Sequence, residues 1–502
     1  MIVATLVQGV SGGCMTSTSD SGRLRAGAIG RREVLFQSIT AMAPGAAIAA
    51  SIPAGAGFAG GALTLAVIVA LIGSLLTAFS ISELASRIPS AGSFATYASR
   101  ALHPIVGFFV GWGYVFVYAL VPALLFLQLG FTVAGTFNSE FGYPSNLWWP
   151  WSLVGIALVG ALALLGITTS AKTGTILGSI EIVVFLAAGI LFVVHAGSHN
   201  TLSVFTTKYT PKGFHGISGV FAGSVYSLLA FAGFEAAAPL AEEAKDPKRT
   251  IRFAILGSTL AIGLVYVFTT YAASVAYGPA RFSSFAGAGA ASWIGLSRDF
   301  YGLFWILIFL AIINSTIGNA NAGTSVSTRM AFALGRIGVF PGILGKVHAK
   351  TKVPHIAVYS QIIVSAAATL ILGLAFGPEN GFALDGTLIT IVVVAVYILM
   401  NLSSMVYFAR SISEERFNFF SHGIVPILAI AFLFPALLAG AGIAAFSFIS
   451  PLTAPASYAG PIVAIWLILG VIVFVRLRSA SPGAVNRISE VFLEEIVDEP
   501  EA

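Results

Sequence analysis

Residues 34–54 read VLFQSITAMAPGAAIAASIPA. The run is apolar and long enough to cross a bilayer, which takes roughly 20 helical residues. Ala43-Pro44-Gly45-Ala46 interrupts it near its middle. Proline lacks an amide proton and clashes with the preceding turn, so a helix cannot run straight through it. Pro44 fits as the first residue of a second half-helix. The amides of Gly45, Ala46 and Ala47 would then open that half-helix, where an anion is favoured. A substrate carboxylate suits that place, so Ala43, Pro44, Gly45, Ala46 and Ala47 are candidate binding residues.

The same device recurs at Phe231-Ala232-Gly233-Phe234-Glu235. Glycine lets the backbone leave helical geometry, freeing carbonyls near Phe231 and Ala232 to accept from a substrate ammonium. Phe231, Ala232, Gly233 and Phe234 join the candidate set. Either break alone also reads as a packing kink. Two breaks, each in the first helix of a putative repeat, match a transporter plan with its binding site at the broken helices.

Composition sets the environment around these breaks. The 502 residues are 57% hydrophobic and 9% charged, against about a quarter charged in soluble domains. So much apolar surface has lipid as its solvent. A 20-residue window gives about twelve spans: 34–54, 60–82, 104–133, 149–169, 174–196, 216–241, 251–278, 301–325, 355–377, 384–409, 422–449 and 457–476. The eighth has the least definite end, because Asn319, Asn321, Thr324 and Ser325 dilute it. With these spans, 21 of the 25 Lys and Arg fall on one side and only Lys208, Lys212, Arg281 and Arg298 on the other. Positive loops face the cytoplasm, so both termini are expected there, in a multi-pass protein of the cell membrane. The net charge of +5 is therefore a topology signal and no nucleic acid is expected. Residues 1–30 read as a disordered cytoplasmic tail without a secretory signal pattern. Residues 31–477 read as the transmembrane domain and 478–502 as a second cytoplasmic tail.

Three segments resemble the amino acid–polyamine–organocation superfamily, the amino acid permeases. One runs from Phe231 through Glu235 to Leu240-Ala-Glu-Glu-Ala-Lys-Asp-Pro-Lys-Arg249. A second is Glu83-Leu-Ala-Ser-Arg-Ile-Pro-Ser-Ala-Gly92 with Gly107, Gly111 and Trp112; a third spans Arg329 to Pro354. The resemblance covers about residues 30 to 410. It implies an all-α membrane fold with a five-plus-five inverted repeat: one repeat about 34–196, the other about 216–409, and extra helices about 422–477. It implies a substrate held between the first and sixth helices. The family's first helix usually carries a Gly-x-Gly break; here Pro44-Gly45 occupies that region.

Charge inside a bilayer is costly and marks function. Glu181 lies in an apolar stretch of the fifth span. In proton-coupled relatives a titratable group in the fifth helix stands where sodium-coupled relatives bind a cation, so Glu181 is the candidate proton carrier; packing alone is the other reading. Glu235 is expected to hold the unwound segment or to meet a cationic substrate. Phe231 is a candidate aromatic lid. Asn314 and Tyr118 are candidate cavity residues, with helix–helix bonding and ordinary packing as alternatives. Arg87, Glu242, Glu243 and Arg336 resemble a cytoplasmic gate closed by salt bridges, or a solvated loop.

The leading function is secondary transport of a small amino acid, coupled to protons rather than sodium; transport of an amine or polyamine and amino acid sensing are the alternatives. No GxxxxGK[ST] loop supports ATP-driven transport. No clustered catalytic set or metal-ligand spacing calls for an enzyme or a cofactor. Cys14, the single cysteine, lies in the N-terminal tail, so no disulfide-linked heavy chain is expected.

Overall fold

The computed structural model describes residues 30–88, 93–165, 171–214, 216–242, 246–336, 340–348, 353–410 and 417–480. Among them eleven helices are long and apolar enough to cross a membrane, and Trp149–Leu164 is a shorter apolar helix. These twelve correspond in order to the twelve expected spans, and are numbered here as spans 1 to 12. Spans 1 and 2 run over Arg31–Ser51 and Pro53–Arg87, span 3 over Pro104–Phe141, span 5 over Thr175–His199. Spans 6, 7 and 8 are Ile217–Ala238, Lys248–Tyr277 and Phe304–Gly335. Spans 9 to 12 are His355–Phe376, Pro378–Ala409, Phe420–Ala441 and Ala456–Ser479.

Span 8 departs most from expectation, running ten residues past the expected end at 325. Of the polar residues that dilute its sequence, Asn321 and Thr324 are buried, Asn319 lines the central cavity and Ser325 is half-buried. A polar face turned inward does not end a helix, because backbone bonding is internal to the segment. Two shorter helices, Ser93–Ala101 and Trp293–Tyr301, lie between spans.

Each of the first four spans packs against the span five places later: 1 on 6, 2 on 7, 3 on 8 and 4 on 9. The interior is filled by fully buried aromatics, among them Tyr226, Tyr266, Phe231, Phe234 and Tyr397. The periphery is the reverse of a soluble protein. Span 12 exposes Ile465, Ile468 and Ile472, and spans 7 and 9 expose Leu264 and Ile371, as a lipid solvent allows.

Both interruptions are real. The first helix stops at Ala41, and Ala43 takes a left-handed conformation at φ 44°. Pro44 then opens the second half, which continues as a π-helical turn over Ala47–Ser51. In span 6 the helix ends at Phe231, Ala232 turns out at ψ 128°, and Gly233 sits at φ 115°. A 3₁₀ segment resumes over Phe234–Glu242.

Candidate functional site

The two breaks meet in the centre of the molecule. A β-carbon added to Gly233 would come within 2.6 Å of the Ala41 carbonyl oxygen, so only glycine permits this approach. Ser38, on the first half of span 1, donates to the Phe234 carbonyl at 2.8 Å and accepts from the Ala237 amide at 3.1 Å. Tyr266 of span 7 donates to the Ala230 carbonyl at 3.1 Å and reaches the Met42 carbonyl at 3.3 Å. Those carbonyls lose helical partners at the breaks, and one buried hydroxyl serves both.

Beside the breaks lies a cavity of about 340 Å³. Its walls include Ala41, Met42, Ala43, Ala46 and Ala47 of span 1, and Ala230, Ala232, Gly233 and Glu235 of span 6. Span 3 contributes Tyr114, Tyr118 and Gln128, span 8 contributes Asn319, and span 10 contributes Ile389 and Val393. The cavity reaches toward the side of the N-terminus through Gln37, Ser93, Val326 and Met330. Glu235 is its acid: Oε2 accepts from the Gly233 amide and from the Tyr397 hydroxyl, each at 2.9 Å. Tyr114 and Tyr118 stack with centroids 5.6 Å apart and form the aromatic wall.

This geometry sorts the sequence candidates. Ala43, Ala46, Ala47, Ala232, Gly233, Tyr118 and Glu235 come together at the cavity. Pro44, Gly45, Phe231, Phe234, Glu181 and Asn314 do not line it. Phe231 is fully buried, edge-on to Tyr266 at 5.3 Å, so it holds the break's back wall rather than a lid. Phe234 packs on Tyr397 at 5.2 Å. The Ala47 amide, expected to be free, donates to the Ala43 carbonyl at 3.0 Å, because the residue that caps a helix start already gives its carbonyl to the first intrahelical bond. Trp112 stacks on Trp466 of span 12 at 4.5 Å, each indole N–H donating to the other's carbonyl; it clamps spans 3 and 12 outside the cavity.

Gly45 faces a second polar centre. Its missing side chain leaves room for the Glu181 carboxyl, whose Oε2 would lie 3.1 Å from a β-carbon there, with Ser315 at the same distance. Asn314 donates to Glu181 Oε1. Spans 1, 5 and 8 therefore converge on one carboxyl that is 4% exposed.

On the N-terminal side, Arg87 pairs with Glu83 at 2.9 Å, Arg252 of span 7 pairs with the same carboxyl at 3.0 Å, and His422 Nε2 lies 3.7 Å from it. Arg87 also stacks over Phe408 at 5.0 Å. Glu83 entered the sequence reading only as the first residue of a family-like segment, and Arg252 and His422 were not singled out as site residues. Glu243 lies outside the described residues, as do the side chains of Glu242 and Arg336.

The amino acid permease family model matches residues 33–482. The chain belongs to the amino acid permease family. The permease is similar to the branched-chain amino acid permease BcaP of Bacillus subtilis (strain 168), 28% identical over 350 residues that cover 66% of this chain and 72% of the relative. It is also similar to the low-affinity putrescine importer PlaP of Escherichia coli (strain K12), 29% identical over 320 residues, 62% of this chain and 68% of the relative. The lysine-specific permease LysP of Lactococcus lactis is 27% identical over 336 residues, 63% and 64% of the two chains. The permease is thus a multi-pass membrane protein of a transporter family, as the resemblance implied.

Proposed function

We propose that this permease carries a small amino acid or a related amine across the cell membrane by alternating access, with a proton as the coupling ion. The observation that carries the reading is the cavity at the junction of two broken helices, where backbone polar groups and one carboxylate meet apolar walls. Such a site suits a solute with a charged head and a small apolar body. The packing of spans 1 to 4 on spans 6 to 9 supports an inverted repeat. The 21-to-4 division of Lys and Arg supports cytoplasmic termini, so the cavity faces inward here.

Glu181 is the proposed proton carrier. It sits at the meeting of spans 1, 5 and 8, buried, with Asn314 as its donor and Gly45 against its carboxyl. Because Gly45 belongs to the mobile half of a broken helix in this reading, the charge on Glu181 and the position of span 1 act on each other. Arg87 and Arg252 on Glu83 form the inner gate. The test is uptake of labelled amino acids and amines into proteoliposomes of the purified protein. Saturable accumulation that grows with an inward proton gradient, and ignores sodium, is the expected result. Binding without flux would make the protein a sensor.

A further inference from the structure

Asp385 of span 10 is fully buried, and neither of its carboxyl oxygens has a hydrogen-bond partner among the described residues. It stands four residues from Ile389, which lines the cavity, and three from Phe382, so the three share one helix face. Phe382 packs edge-on against Phe131 of span 3 at 5.6 Å. A β-carbon on Gly287, in the connection between spans 7 and 8, would lie 2.9 Å from the Phe131 ring and 3.6 Å from the Ala49 carbonyl of span 1. One on Gly386 would lie 2.7 Å from Leu229 of span 6. Spans 1, 3, 6 and 10 thus close over the end of the cavity away from the N-terminus. Asp385 is shut in at that closure, while the cavity reaches the other way, through Gln37 and Met330.

The elements packed on span 10 bring it no counter-charge. In the outer half, span 6 offers Tyr226, which accepts from Thr387 at 3.2 Å, and the turn before span 12 offers Tyr458, beside Phe376 at 6.0 Å. Glu140 at the outer end of span 3 is paired with Arg298 at 3.1 Å, and Glu379 lies further out on span 10 itself. Tyr114, Tyr118 and Glu235 belong to the cavity. The inner ends hold Glu83 and Arg87 of span 2, Tyr97 and Arg100 of helix 93–101, and His355 and Tyr359 of span 9. They also hold His422 of span 11 and Arg476 and Arg478 of span 12. An ion buried without donor or cation is costly, so the closed arrangement holds Asp385 as the neutral acid. Opening the outer side would bring water to it and favour the ion.

We propose that Asp385 is a proton-binding site separate from Glu181, which takes a proton from outside before the outer side closes and gives it back outside when that side reopens. This rests on the alternating-access reading above and adds a site to it. Its proton never reaches the inner side. Asp385 therefore sets how readily the outer side closes at a given external pH, without adding to the protons carried per solute.

The experiment uses the full-length protein, reconstituted in one orientation in proteoliposomes, with labelled leucine, lysine and putrescine as probes. Exchange is measured at fixed internal pH while external pH is varied, and the proton-to-solute ratio is measured with an internal pH dye. Asp385→Asn, which is permanently neutral, is expected to lower the order of exchange in external protons by one. On the alkaline limb the wild type then loses about tenfold more rate per pH unit than the variant, with the proton-to-solute ratio the same in both. Asp385→Leu, also neutral, has the same expectation and serves if the asparagine variant does not fold. An unchanged order in external protons in a folded variant, or an altered proton-to-solute ratio, overturns the inference and leaves the carrier reading standing. Absence of exchange by the wild type with every probe overturns both.

Discussion

Gly233 of span 6 lies against the Ala41 carbonyl of span 1 so closely that a β-carbon would be 2.6 Å from the oxygen. The contact joins the two broken helices at the level of the cavity. It combines a positive φ of 115° with a backbone neighbour that cannot rotate away.

Gly233→Ala therefore faces both strain and overlap. Left-handed backbone costs a non-glycine residue about 1–2 kcal/mol, and the overlap adds to it. The purified variant should lose several degrees of thermal stability and its uptake. Gly57→Ala is the control: a β-carbon there meets nothing within 4 Å, and its unfolding midpoint should not fall.

Tyr266→Phe removes the hydroxyl shared by the Ala230 and Met42 carbonyls while keeping the ring that packs on Phe231. Two buried acceptors lose a donor, which costs about 1–3 kcal/mol. Weaker solute binding together with a lowered unfolding midpoint is expected. A variant with wild-type binding would show that the hydroxyl does not hold the breaks.

Glu181→Gln keeps the size and one acceptor for Asn314 but cannot exchange a proton. Uptake driven by a pH gradient should collapse toward the ungraded rate, while solute exchange at equal pH on both sides persists. Accumulation that still follows the gradient would remove Glu181 from the coupling.

Glu83→Ala leaves Arg87 and Arg252 facing each other without their carboxylate. The loss should be roughly 3 kcal/mol, at the low end for a broken pair because Arg252 is half-exposed and keeps its water. Differential scanning fluorimetry in detergent measures it. If the pair is an inner gate, the variant also leaks preloaded solute faster than the wild type.

Phe231→Ala and Phe234→Ala now have the same expectation, although the sequence set them apart. Both rings are fully buried and neither lines the cavity. Each should lose about 3–5 kcal/mol of stability. Solute affinity of the folded fraction should change little, measured by ligand-dependent thermal shift.

The chain itself determined the number and order of the spans, because crossing lipid requires a long apolar helix and the window that finds it is local. It determined both breaks as well: Pro44 cannot continue a helix, and Gly233 can leave one. It also marked Glu181, since a carboxyl in an apolar run stands out in one dimension. What only the tertiary structure decided is which of these groups share a space. Gly45 and Glu181 are far apart in sequence, and so are Glu235 and Tyr397, yet each pair meets across helices. Phe231 and Tyr118 looked alike as candidate aromatics, but one faces Tyr266 and the other the cavity. A helix shows its residues to every side in turn, and the side that meets a cavity is set by its neighbours' packing, not by the order of its own residues.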